Sequence, residues 1–113
     1  MKRKVAQLIA PRKFKIVEEK VQPIKSNEML VNVVSIGLCH SQIPEYLGKS
    51  RFAVNSRGEY SNDKDMRYPI QLGHEPLGII EEIGSDLEYN DFKVGDCVTG
   101  LIMPSFASYV TVR

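Results

Sequence analysis

Apolar residues in this chain fall in short bursts separated by turn residues. Residues 4–9 and 14–19 predict two short strands, and Pro11-Arg12-Lys13 between them predicts the turn of a hairpin. Pro23 and Ser26-Asn27 mark a second turn. Residues 28–37 form the strongest predicted strand, rich in β-branched side chains and without the polar periodicity of a surface helix. Gly37 ends that strand or lets the chain turn sharply. Residues 41–47 predict a short helix, with Ser41 as N-cap and Pro44 in its first turn. Residues 48–67 are polar and turn-rich and predict a long exposed, mobile loop inserted in the domain. Order resumes at Tyr68-Pro69, and residues 76–83 predict another apolar strand. Gly78 and Gly84 flank it, where a missing side chain permits close approach or positive φ. Residues 92–99 read as a strand entered through a tight turn at Val94-Gly95-Asp96, where Asp96 can accept from backbone amides. Residues 106–113 alternate and close the chain as a strand.

Many short strands, glycine turns and one short helix predict a mainly β fold, a barrel or a sandwich. No internal repeat is visible. A dinucleotide-binding unit needs a strand, a G-x-G-x-x-G turn and a helix, and these 113 residues hold none.

Composition narrows the class without changing the picture. A chain of 113 residues makes one domain, and 42% hydrophobic with 26% charged residues is ordinary for a globular protein. Net charge is +1, so no global field favours nucleic acid, and the basic Met1-Lys2-Arg3-Lys4 reads as a solvated chain end rather than a phosphate-binding arm. No apolar h-region follows it, and no apolar run approaches the ~18 residues of a membrane helix. No secretion signal supports pairing Cys39 with Cys97, so the expectation is a cytoplasmic protein with reduced thiols. A reduced cysteine is then either a small apolar residue or a metal ligand.

The candidate chemistry lies in Cys39, His40, His74 and Glu75. Borderline-soft Zn²⁺ prefers sulfur and nitrogen donors, and both Cys39 and His74 follow glycines at strand ends, where side chains can project from a barrel rim. Taken bare, the signal is weak. The two residues are 35 apart with no C-x-x-C partner, and the competing reading is a buried thiol and a core histidine bonded to backbone.

Four ordered stretches change that weight. Gly73-His74-Glu75-Pro76-Leu77-Gly78, running on to Gly84, resembles the G-H-E-x-x-G-x-x-x-x-x-G signature of zinc-containing medium-chain dehydrogenases. Gly37-Leu38-Cys39-His40-Ser41 is similar to their G-x-C-[HR]-[ST] element. Phe92-Lys93-Val94-Gly95-Asp96-Cys97-Val98 resembles F-x-V-G-D-R-V, and Ser105-Phe106-Ala107-Ser108-Tyr109-Val110 resembles G-x-F-A-E-Y-V. The resemblance implies a GroES-like, partly open β-barrel with one or two short helices. It implies Cys39 and His74 as catalytic-zinc ligands, with Glu75 beside the metal and at times coordinating it. Ser41 falls on the hydroxyl that relays a proton from the alcohol, and His40 falls where a basic residue lies near the cofactor pyrophosphate. The implied reaction moves hydride between an alcohol or polyol and NAD(P). It requires a Rossmann domain in cis or trans and a small-molecule alcohol substrate. It implies no nucleic acid or membrane partner, and it leaves room for a homo-oligomer.

The sequence also departs from the family. The family's third zinc ligand would fall after Arg113, so zinc is expected to bind weakly or not at all, and NAD(P) only with the additional domain. No cysteine-rich structural-zinc lobe follows Thr99. Gln42 stands where relatives carry an aspartate that steadies the zinc-bound histidine, and Pro44 replaces a histidine of the proton relay. Cys97 replaces an arginine and reads as a structural thiol. The Cys39-to-His74 spacing is longer than usual, with the excess in 48–67. Competing readings are a zinc-free quinone or enoyl reductase, a non-enzymatic GroES-like binding module, and an orphan half that pairs with a separate Rossmann chain.

Overall fold

The computed structural model describes residues 1–64, 66–87 and 91–113, with the side chains of Arg51 and Ala53 left aside. Strands dominate. β1 (Lys2–Ala10) and β2 (Lys13–Lys20) form the expected hairpin, with Arg12 at φ 63° in its turn. β3 (Met29–Ile36) follows, then helix α1 (Gln42–Tyr46). β4 (Lys49–Val54) and β5 (Tyr60–Asn62) come next, then β6 (Ile70–Gln71) and β7 (Pro76–Ile83). A short 3-10 turn, β8 (Cys97–Thr99) and β9 (Tyr109–Val112) complete the chain.

These strands make three sheets, ordered β2-β1-β6, β8-β7-β3-β9 and β4-β5, and every pairing among the described residues is antiparallel. The first two sheets are joined by residues 105–108, which lie across β1. Ala6 N–H donates to the Phe106 carbonyl at 2.9 Å, and Ser108 N–H donates to the Lys4 carbonyl at 2.9 Å. Val33 N–H then donates to the Ser108 carbonyl at 2.9 Å, so one strip of chain bonds both sheets. This is a partly open barrel: the sheets curve around a shared interior without closing.

The core is built from residues of β1, β3, β7 and β9. Val5, Leu8, Leu30, Val31, Ile80 and Val110 are each almost fully buried. Lys4 and Glu82 on the same strands, and Lys15 on β2, are exposed, so the sheets have a solvated side. The radius of gyration is 16.2 Å, where a compact chain of this length would have about 13 Å. The molecule is elongated, 50 by 28 by 21 Å, and leaves apolar side chains such as Leu38, Leu101 and Met103 exposed. Among the described residues no helix is long and apolar enough to cross a membrane.

Three expectations are corrected. Residues 49–62 are not a structureless loop but a small exposed hairpin, β4–β5, closed by a turn in which Asn55 Oδ1 accepts from the amides of Arg57 and Glu59 at 2.9 and 3.0 Å. The polar residues form the turn, and the segments with Phe52, Val54 and Tyr60 on either side of it are strand. Second, only Cys97–Thr99 is strand within 92–99, because Lys93 to Asp96 is spent on the turn: Lys93 N–H donates to Asp96 Oδ2 at 2.8 Å. Third, the last strand begins at Tyr109, since residues 105–108 are engaged in bridging β1 and β3.

One glycine and one acid hold the frame. At Gly78 a Cβ would collide with the Val31 side chain and come within 2.5 Å of the Asn32 carbonyl oxygen, so β3 and β7 can approach only over hydrogen. Glu28 is nearly buried at the start of β3. Its carboxylate accepts from Lys25 N–H at 3.0 Å and from Arg113 Nε at 3.2 Å. The Lys25 backbone bond, opposed by desolvation and aided by Arg113, holds the Glu28 carboxyl below the usual glutamate range.

Gly78→Ala is expected to destabilise the fold by about 1–3 kcal/mol in urea unfolding, because rigid backbone stands in the way. Gly100→Ala, which meets open space, is expected to be neutral or stabilising by up to about 1 kcal/mol. Because the Glu28 carboxyl is depressed on folding, its contribution is full above the unfolded value of about 4.3 and is lost as pH falls through the lower folded value. Glu28→Gln should therefore flatten the acid limb of the stability-versus-pH curve, with no matching change near pH 9.

Candidate metal centre and adjoining cleft

The antiparallel pairing of β3 with β7 explains how residues 35 apart in sequence meet. The ladder pairs Ser35 with Leu77 and Ile36 with Pro76, so the end of β3 lies beside the start of β7. One bond extends it: Gly37 N–H donates to the Glu75 carbonyl at 2.9 Å. The chain leaving β3 at Leu38-Cys39 therefore passes the chain entering β7 at His74-Glu75.

Two glycines tune the approach. A Cβ on Gly37 would lie 2.5 Å from Glu75 Oε2, so hydrogen at this position leaves room for the carboxylate. Gly73 has φ +96°, and a Cβ there would crowd the Phe106 amide nitrogen at 2.7 Å and Ser105 Oγ at 2.8 Å. This left-handed turn, open to glycine and costly to other residues, sets the direction in which His74 leaves the backbone.

As a result Cys39 Sγ, an imidazole nitrogen of His74 and a carboxylate oxygen of Glu75 all lie within 4.8 Å of one another. His74 Nε2 and Glu75 Oε1 are 3.9 Å apart. The His74 side chain is 14% exposed and that of Glu75 49% exposed, so the cluster opens to solvent on the carboxylate side. A tetrahedral ion with bonds of about 2.0–2.3 Å would draw these atoms in by up to about 1 Å. Thiolate, imidazole and carboxylate are a donor set suited to zinc, and their convergence fits such an ion.

Ser41 and Gln42 arrange the cysteine. Ser41 stands at the helix N-cap as predicted, but its side chain makes no capping bond. Its hydroxyl instead donates to Cys39 Sγ at 3.2 Å. Gln42 folds back over the same turn: its Oε1 accepts from Cys39 N–H at 3.1 Å, while its own N–H donates to the Cys39 carbonyl at 3.0 Å. This double clamp was not foreseen from sequence. Its signal is local, a side-chain acceptor three residues after the cysteine at a helix start.

His40 is exposed and lies outside the cluster, on the wall of a neighbouring cleft of about 470 Å³. That cleft is mostly apolar, with Phe14, Tyr46, Leu72 and Phe106 among its lining residues and Cys39 at its border. Phe14 from β2 stacks on Tyr46 from α1, ring centroids 5.9 Å apart and planes inclined by 13°. His74, Glu75 and Ser41 do not line it. A smaller open cleft of about 220 Å³ is lined by Gln42, Glu45, Gln71, Leu72, His74 and Met103, among others. Cys97 is exposed on β8 and is not a member of the cluster, so it is no packed structural thiol.

With this geometry in place, similarity to known proteins becomes decisive. Residues 25–112 match the family model of the alcohol dehydrogenase GroES-like domain. The chain belongs to that family, the N-terminal domain of medium-chain dehydrogenases. It is 33% identical over 102 residues to an S-(hydroxymethyl)glutathione dehydrogenase of Escherichia coli, covering 89% of this chain and 24% of that protein. It is 28% identical over 95 residues to an alcohol dehydrogenase class-3 of Drosophila melanogaster, covering 84% of this chain and 21% of that one. The chain thus spans about a quarter or less of the length of these relatives. Among solved structures, benzyl alcohol dehydrogenase from Acinetobacter calcoaceticus superposes with TM-score 0.72 at 21% identity, over 100% of this chain and 39% of that one. A quinone oxidoreductase from Coxiella burnetii superposes with TM-score 0.71 at 23% identity, over 100% and 35%. These likenesses establish the shared fold.

Proposed function

We propose that this chain is the substrate-side, zinc-holding domain of an NAD(P)-linked oxidoreductase that moves hydride between an alcohol and its carbonyl. The observation that carries the reading is the convergence of Cys39, His74 and Glu75 within 4.8 Å, at positions the family resemblance assigns to metal ligation. A zinc-free reductase reading leaves that convergence of three donor types without a role. A purely structural barrel likewise needs no thiolate facing an imidazole.

Zinc, when bound, would supply Lewis acidity that favours loss of the proton from an oxygen bound to it. The residues of this chain supply position and a proton path. Cys39, His74 and Glu75 would hold the ion, and a further donor would complete its shell. Gly37 and Gly73 keep the three ligands aimed together. The Ser41 hydroxyl, 3.2 Å from Cys39 Sγ, stands beside the place where an alcohol oxygen would dock and is suited to pass its proton outward. Pro44 offers no acceptor at the next step, so that proton goes to water or to a cofactor hydroxyl. Exposed His40 is suited to face a pyrophosphate when it is protonated. Hydride transfer belongs to the nicotinamide, which a nucleotide-binding domain would have to present.

Cys39→Ala and His74→Ala should each abolish the near-ultraviolet thiolate-to-metal absorption that Co²⁺ produces on titration into the wild-type chain. In a protein that also carries the nucleotide-binding domain, both variants should lose alcohol turnover together with zinc, measured by elemental analysis. Retention of zinc and activity in both variants would remove the metal reading. The 113 residues alone should reduce no NAD(P)⁺ with any alcohol, and measurable turnover would refute the two-domain requirement.

A further inference from the structure

β2 stands at the end of the β2-β1-β6 sheet, and its 8 residues make it the longest edge strand described. Which of its backbone groups lie open follows from the ladder. In antiparallel pairing, alternate residues turn their N–H and C=O to opposite sides of a strand. On β1, Lys4 and Ala6 turn theirs away from β2. Ser108 N–H donates to the Lys4 carbonyl at 2.9 Å, and Ala6 N–H donates to the Phe106 carbonyl at 2.9 Å. Their partners across the ladder are Glu18 and Ile16. Val21 N–H donates to the Met1 carbonyl at 3.0 Å, which sets the same alternation from the other end. Phe14, Ile16, Glu18 and Lys20 therefore direct their amides and carbonyls to the open side, where no described strand pairs with them.

The side chains on this edge are partly apolar, with Ile16 61% and Phe14 40% exposed. Edge strands are commonly guarded by charges that repel a neighbour. Here the charges are divided along the strand: Lys13 and Lys15 lie in its first half, Glu18 and Glu19 in its second. A second copy running parallel in register would set lysine on lysine and glutamate on glutamate. A second copy running antiparallel about a two-fold at Val17 sets Lys15 against Glu19, Ile16 against Glu18 and Phe14 against Lys20. No like charges then stand opposite each other, and all four open residues gain backbone partners. The two Ile16 side chains fall on a diagonal, within reach of each other.

We propose that β2 is a self-pairing edge, through which two copies of this chain join into one continuous antiparallel sheet about a two-fold axis at Val17. The inference is independent of the metal-centre reading. With 8 residues a side, β2 offers fewer than the roughly 20–30 of a standard interface, so the dimer is weak and forms as concentration rises.

The test is sedimentation velocity of the 113-residue chain from about 1 μM to about 1 mM, with circular dichroism as the check on folding. Wild type is expected to move from 12.8 kDa toward twice that mass. Ile16→Pro removes an N–H on the open side and leaves the bonds to β1 in place, so it is expected to weaken the dimer at least about tenfold. If proline disturbs the strand, Ile16→Glu sets like charges against Glu18 of the second copy and is expected to weaken it similarly. Val17→Cys in a Cys97→Ser background is expected to give a disulfide-linked dimer on mild oxidation, which the Cys97→Ser parent does not. Opposed residues at a non-hydrogen-bonded position lie about 4.5 Å apart, within disulfide range. A monomer at every concentration overturns the proposal, as does a dimer that the folded Ile16 variants leave unchanged. A dimer that the Ile16 variants weaken but Val17→Cys does not cross-link overturns the two-fold at Val17.

Discussion

The antiparallel contact between β3 and β7 is the constraint from which the site follows. Its register sets Ile36 against Pro76, and the Gly37 amide bond to the Glu75 carbonyl carries it one step beyond the regular ladder. A slip of one residue would turn the buried set of Val31 and Ile80 outward, so the hydrophobic core enforces the register. The same register puts a thiol, an imidazole and a carboxylate at one end of the strand pair. Core packing and candidate chemistry are therefore not separable here.

Close backbone approach is bought with glycine at each critical point. Gly78 lets β7 lie against Val31 and Asn32, Gly37 leaves space for the Glu75 carboxylate, and Gly73 turns the chain toward His74. None of these residues bears chemistry, yet a methyl group at any of them would meet atoms already in place. The strip at 105–108 plays the corresponding part for the whole domain, since its amides and carbonyls hold β1 to β3 and lean Phe106 over the Gly73 turn.

The elongated form and the open sheets give the domain two kinds of surface. One is the solvent-open side of the Cys39, His74 and Glu75 cluster, where Glu75 is half exposed. The other is the apolar cleft of Phe14, Tyr46 and Phe106, which reaches Cys39 from a different side. Cys39 borders both the cluster and the cleft, while His74 and Glu75 belong to the cluster alone. The apolar cleft thus adjoins the cluster through Cys39 and carries His40 on its wall.

Much was legible in the sequence. The first hairpin, the strands at 28–37 and 76–83, the helix after Ser41 and the turn at Gly95 all follow from local signals, because turn residues and β-branched runs act on their own neighbours. The candidate trio of Cys39, His74 and Glu75 stood out through motif wording, though the bare spacing of 35 residues between Cys39 and His74 said little. Tertiary structure alone decided the rest. The hairpin at 49–62 forms although its composition is polar, since cross-strand pairing does not depend on a buried face at every position. The last strand is shortened because residues 105–108 are claimed by two sheets at once. The bond from the Cys39 amide to the Gln42 side chain could not be foreseen either, for hydrogen-bond pairing is a property of the surroundings in space. Sequence fixes which groups are available and which way the chain turns locally, whereas which of them face each other depends on register between segments far apart in the chain.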